Sequence, residues 1–192
     1  MNFPHIPKQD GNITVVSGNI LIAEPFLADR TFSRAVVLLC EHAENGTLGF
    51  VLNKPMLLNL TDLMPDLYAP TVLYEGGPVQ PDTLHMIHRL PELLGGIEIA
   101  KGIFWGGSFD VLQDLLNSSS SQMPDVKLLV GYSGWSAGQL ENELKEGSWY
   151  VSQATAQLVF DTDISSIWRN AVMNMGPDYK HLLNLPSNPQ LN

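Results

Sequence analysis

Cys40 and His42 are the two residues whose types and spacing most invite a reaction. A cysteine attacks once a base has taken its proton. An imidazole two positions along a strand shares the thiol's face, about 6.5–7 Å away between Cα atoms. That gap is long for a direct thiol–imidazole hydrogen bond, and no third group stands ready to orient the ring. The other reading makes Cys40 a small hydrophobe ending a core strand and His42 a turn residue with its polar atoms satisfied. His85 and His88 are the candidate metal ligands, but they share a face only on a helix. A strand over 82–90 points them apart and no third ligand can be named, so neither a metal nor another cofactor is expected.

Two glycine turns could bring backbone N–H groups to an anion: Gly76-Gly77-Pro78, and Gly106-Gly107-Ser108 at a helix start. Neither has the glycine spacing of a phosphate or dinucleotide loop. The plainer account is glycine serving positive φ at bulges. Trp135 and Gln139, with Asn53 and Arg34, could line one cleft. Against that, Trp135 can be a packing residue with a satisfied N–H, Gln139 a capping residue, and Arg34 the partner of a nearby carboxylate.

The stretch 127–151 must position the last of these groups, and it specifies its own structure firmly. Leu128, Leu129 and Val130 form an apolar strand, and Gly131 and Gly134 bracket a turn carrying Tyr132 and Trp135. Ser136 with Gln139 makes a capping box for a helix whose buried stripe is Leu140 and Leu144, and which Gly147 ends. Upstream, 20–23 is a buried strand stopped by Pro25, and 35–40 is a branched apolar run suited to a central strand. Asn45-Gly46 folds that run into a hairpin, 36–41 against 47–51, which Asn53-Lys54-Pro55 ends.

A short helix lies within 57–67, broken by Pro65, and further short strands fall at 72–75, 97–100 and 102–105. Ser108 caps a helix over 109–116. Asp163 caps a final one over 164–175 with Ile167, Trp168, Ala171 and Val172 inward. Residues 117–125 form an exposed loop and 153–160 a connection. The lead-in 1–17 is irregular, with at most a short element at 13–16, and 177–192 is a loosely docked tail. A single α+β domain follows: a mostly antiparallel, curved, barrel-like sheet of short strands flanked by about four helices.

Twenty Asp and Glu against ten Lys and Arg give a formal charge of −10 over 192 residues, with no basic cluster. That balance argues against direct nucleic-acid binding. No apolar run approaches the roughly 20 residues of a membrane helix, and the start carries no apolar signal core, so a cytoplasmic protein without a membrane partner is expected. One cysteine excludes an internal disulfide.

Several pieces together resemble the YqgE/AlgH family of small bacterial proteins. They begin with Gly18-Asn19-Ile20-Leu21-Ile22-Ala23-Glu24-Pro25 and continue through Phe32-Ser33-Arg34-Ala35-Val36-Val37 to Cys40-Glu41-His42. Gly46, Gly49, Asn53-Lys54-Pro55, Gly76-Gly77-Pro78-Val79 and Leu84-His85 follow. The most specific piece is Gly131-Tyr132-Ser133-Gly134-Trp135 with Gly138-Gln139-Leu140-Glu141 and Trp149, completed by Phe160 and Trp168. Gly106-Gly107-Ser108 departs from relatives that carry Asp there. Ser136 stands at a variable position. The resemblance implies a single-domain cytoplasmic protein with no established biochemical activity and a regulatory role suspected for some members. It supplies no catalytic residues.

Two readings of function follow. The first is a non-enzymatic regulatory or binding protein acting through a protein partner or a small ligand. The second is a small-molecule hydrolase working in a cleft between the hairpin carrying Cys40, His42 and Asn53 and the turn carrying Trp135 and Gln139. A transcriptional regulator acting indirectly ranks third, because no helix-turn-helix with basic recognition residues is present.

Overall fold

The computed structural model describes residue 9 and residues 14–67, 71–118 and 125–185. Among these, the short apolar runs of the sequence become ten strands of one sheet. The first half of the chain gives β1 (Asn19–Ala23), β2 (Val36–Ala43), β3 (Gly46–Val51), β4 (Pro55–Asn59), α1 (Leu60–Leu63), β5 (Val72–Glu75) and β6 (Val79–His88). The second gives α2 (Pro91–Leu94), β7 (Ile97–Ala100), β8 (Ile103–Trp105), α3 (Phe109–Ser118), β9 (Val126–Ser136), α4 (Gln139–Glu146), β10 (Trp149–Gln153) and α5 (Ile167–Asn174). Neighbours run β10-β1-β2-β3-β9-β6-β8-β7, with β5 alongside β9 and β4 on β5. Every pairing is antiparallel except β5 with β9, and the sheet curls into a half-barrel. The α+β class and the curved, mostly antiparallel sheet are those expected.

Strand β9 holds the two halves together. Its last residues, 133–136, pair with β3, while its first half pairs with β6 on one side and β5 on the other. The turn expected at Tyr132 does not form. Gly131, at φ 66, bends the strand without breaking it, so the ladder continues to Ser136. The strand expected over 82–90 forms as part of β6, which ends at His88.

Alternation along the strands sorts the apolar residues into separate cores. Ile20, Ile22, Leu38, Phe50, Ile87 and Leu129 point to the concave side. There α5 covers them with Ile167, Trp168, Ala171 and Val172, the stripe read from the sequence. Leu21, Val37, Leu39 and Val51 point the other way, onto Trp135, Trp149 and Leu140 of α4. Leu73, Met86 and Leu128 form a third core under Leu112 and Leu116 of α3. Each fully buried Leu, Ile or Phe contributes about 1.5–3 kcal/mol.

Several local expectations give way to tertiary pairing. Residues 55–59 form β4 because they pair with β5, which leaves only Leu60–Leu63 helical. Ser136 belongs to β9, so Gly138 caps α4. Half of the capping box survives: Gln139 Oε1 accepts from the Ser136 N–H at 3.1 Å. Asp163 makes no side-chain cap. A 3-10 turn, Ile164–Ser166, precedes α5 instead.

The connection at 153–160 contains a π-helical turn, Gln157–Asp161, that buries Leu158, Val159 and Phe160. Where a loose tail was expected, Pro177–Asn184 is a 3-10 helix with Leu182 fully buried. Residues 14–16 are irregular, and Ile13 and the rest of the lead-in except Gln9 lie outside the described residues, as do 68–70, 119–124 and 186–192.

Candidate functional site

Arg34 lies between the 3-10 turn Arg30–Phe32 and β2, with φ at 48. Few side-chain-bearing residues adopt that conformation. Asn53 holds it in place. Its Nδ2 donates to the Arg34 carbonyl at 2.9 Å, and its Oδ1 accepts from the Val36 N–H at 2.9 Å. The guanidinium so directed sits 4.7 Å from the Trp168 ring centre and donates from Nη2 to the Leu185 carbonyl. Its Nε is buried with no partner. The carboxylate expected to pair with Arg34 is not there: among the described residues the ion pairs lie elsewhere.

Lys54 follows Asn53, and its Nζ donates to the carbonyls of Arg30 and Thr31. Arg169 projects from α5 as an exposed residue. Arg34, Lys54 and Arg169 line one cavity of about 350 Å³, with the hydroxyl residues Ser33 and Ser165 in the same wall. Three of the chain's ten Lys and Arg therefore line it, and among the described residues no Asp or Glu shares the lining. Burial lowers the pKa of both Arg34 and Lys54. For Lys54 the charges of Glu75 and Asp29 oppose that shift in part. Three cations beside two hydroxyls can hold an anion.

Cys40 and His42 part company. A β-bulge falls between Leu39 and Glu41, opposite Gly49 and Leu48, and it makes Cys40 the extra residue of its strand. The face alternation therefore slips. Cys40 packs in the concave core, where burial and the charge of Glu41 push its thiol pKa well up. His42 is on the opposite face, with Nδ1 2.7 Å from Thr47 Oγ1 and Nε2 3.9 Å from Glu141 of α4. The cleft expected between this hairpin and the 132–139 segment is filled by the β3–β9 ladder, Gly46 against Ser136 through Gly49 against Ser133.

Trp135 and Gln139 do meet, at Glu143. Both Trp135 Nε1 (2.9 Å) and Trp149 Nε1 (2.7 Å) donate to its Oε2, and Gln139 Nε2 donates to its Oε1 at 2.9 Å. Those polar tips are spent, and Arg34 and Asn53 belong to a different cavity. The Gly76 N–H donates to the Val130 carbonyl at 2.8 Å and so is not free for an anion. A Cβ at Gly76 would come within 2.3 Å of the Gly131 carbonyl, and one at Gly77 within 2.3 Å of Tyr132, so both glycines permit backbone contact with β9.

His85, Gly106 and Gly107 border another cavity, of about 360 Å³. His85 packs on Phe50, and burial lowers its pKa. His88 is fully buried with both nitrogens engaged: Nε2 with the Gly106 carbonyl at 2.9 Å, Nδ1 accepting from the Leu90 N–H at 3.1 Å. A metal would find no lone pair there.

The comparisons bear on the whole chain. A family model described as AlgH-like matches residues 20–180. The chain belongs to the AlgH-like family. A UPF0301 protein of Chlorobium limicola is 41% identical over 179 residues, covering 91% of this chain and 95% of the relative. One from Bacteroides fragilis is 36% identical over 186 residues, covering 96% and 95%. The solution structure of the AlgH protein from Pseudomonas aeruginosa aligns with a TM-score of 0.69 at 30% identity, over 93% of this chain and 98% of that one. A Corynebacterium diphtheriae crystal structure shares the fold, with a TM-score of 0.73 at 20% identity over 92% and 94%. Members carry names without a biochemical activity, so function rests on the site itself. Among the described residues no helix is long and apolar enough to cross a membrane.

Proposed function

We propose that this chain is a non-enzymatic binding protein whose ligand is a small anion, carrying a carboxylate or phosphate group and held in the cavity of Arg34, Lys54 and Arg169. One observation carries the reading: three cations line one cavity, with no carboxylate among the described residues of its wall, in a chain whose formal charge is −10. Glu75 and Asp29 offset the charge of Lys54 in part; the repulsion that remains among the three cations is relieved by an anion. Arg34 supplies a planar guanidinium, the group best matched to carboxylate or phosphate oxygens. Any regulatory role runs through occupancy of this site.

Titration calorimetry with inorganic phosphate and with citrate, at fixed ionic strength, tests it. At least one should bind saturably, and Arg169→Glu, an exposed change that leaves the core alone, should weaken that binding about tenfold or more. Equal affinity in the variant, or no saturable binding of either anion, would contradict the reading.

A further inference from the structure

Lys127 stands in the middle of an apolar strand run, between Val126 and Leu128, and is 6% exposed. Its register partner on β6 is Ile87, so it points to the concave side of the sheet. There the ammonium lies 4.2 Å from the centre of the Tyr74 ring. Among the described residues it has no ion pair and no hydrogen bond. A buried lysine whose charge meets only an aromatic face, with no anion or acceptor, is costly, which makes it a candidate for chemistry.

It opens into a cavity of about 320 Å³, separate from the anion site and on the other side of Ile164. Val72, Tyr74 and Phe160 give that cavity apolar walls, and Asp161 and Asp163 stand in its lining. Asp161 is already held by Arg89, with Nη2 2.8 Å from Oδ1. Carboxylates in the wall discourage an anionic guest, and the mixture of apolar side chains with Thr71 and Thr162 suits a small uncharged polar one.

We propose that Lys127 is the reacting group of a second site, which captures a small uncharged aldehyde or ketone as an imine. The amine lone pair adds to the carbonyl carbon. The carbonyl oxygen then leaves as water with the two amine protons, and a C=N bond replaces C=O, with no oxidant or reductant needed. Desolvation lowers the Lys127 pKa to about 8. At pH 7 roughly 10% of such an amine is neutral, against about 0.04% of an ordinary lysine. A desolvated lysine beside apolar walls is a recurrent device for this reaction.

Benzaldehyde with sodium cyanoborohydride, which traps an imine as a stable benzylamine, tests the site on the intact chain at pH 7. Mass spectrometry then reads each lysine separately. Lys127 should be benzylated about tenfold or more faster than Lys101 and Lys180, with a rate that saturates as benzaldehyde rises. The Lys127→Arg variant should lose the fast event and leave the slow ones unchanged. Labelling of Lys127 no faster than Lys101, or linear in benzaldehyde throughout, would overturn the proposal. Neither outcome depends on whether Arg34, Lys54 and Arg169 hold an anion.

Discussion

Asn53 grips the backbone of Arg34 with both ends of its amide, donating to the Arg34 carbonyl and accepting from the Val36 N–H, each at 2.9 Å. A side chain read from the sequence as a cleft residue is therefore what sustains the positive φ of the residue that reaches the cavity. Asn53→Ala should cost about 1–3 kcal/mol in urea unfolding, because two half-buried backbone groups lose their partners. It should also weaken anion binding through Arg34. A loss below about 0.5 kcal/mol would mean that the turn holds itself.

Cys40 is 4% exposed and its thiol pKa is pushed up by burial, so the folded protein should resist a disulfide-exchange reagent at pH 8. Labelling should be at least about 100-fold slower than in denaturant, where the one cysteine should react fully. Rapid labelling of the native protein would show that the concave core opens.

Glu143 takes two indole N–H donors on one oxygen and the Gln139 amide on the other. Glu143→Ala leaves Trp135 and Trp149, both nearly buried, without acceptors. The expected cost is about 2–4 kcal/mol, read in thermal unfolding by tryptophan fluorescence. A variant as stable as the parent would show that water replaces the carboxylate without loss.

Lys127 makes stability depend on pH in a stated direction. Its folded pKa, about 8, is below the usual lysine value near 10.4, so between the two the unfolded chain binds more protons. The burial penalty is full below pH 8 and fades as pH rises towards 10.4. Lys127→Met should therefore be more stable than the parent by roughly 2–4 kcal/mol at pH 7, with an advantage that shrinks above pH 8. Denaturant unfolding of both proteins from pH 7 to 10 measures it. A constant difference would contradict the depressed pKa.

Much of the architecture could be read from residue order. The hairpin at Asn45-Gly46 and the stripe on α5 follow from turn chemistry and periodicity, which act locally, whereas the period over 82–90 fits strand and helix alike and only the flanking Gly-bounded strands favour a strand. The bulge at Cys40 could not be read, because one extra residue in a strand leaves no mark on an apolar run. That single insertion sends Cys40 and His42 to opposite faces. On the other side of it, Leu39 faces Gly49 and Val37 faces Val51. The anion site was half visible through Arg34 and Asn53. Lys54 reads as part of a strand terminator, and nothing in the sequence of the last helix sets Arg169 apart. Lys127 carries a signal of its own, a lone cation within Val126-Lys127-Leu128-Leu129-Val130 in a chain with ten Lys and Arg.

The central claim is tested most directly by amide NMR of the labelled protein titrated with inorganic phosphate at constant ionic strength. The account predicts saturable shifts confined to residues 30–36, 53–55, 164–169 and 183–185, and their loss in Arg169→Glu. Shifts that scatter over the surface, grow without saturation, or persist in the variant would contradict it.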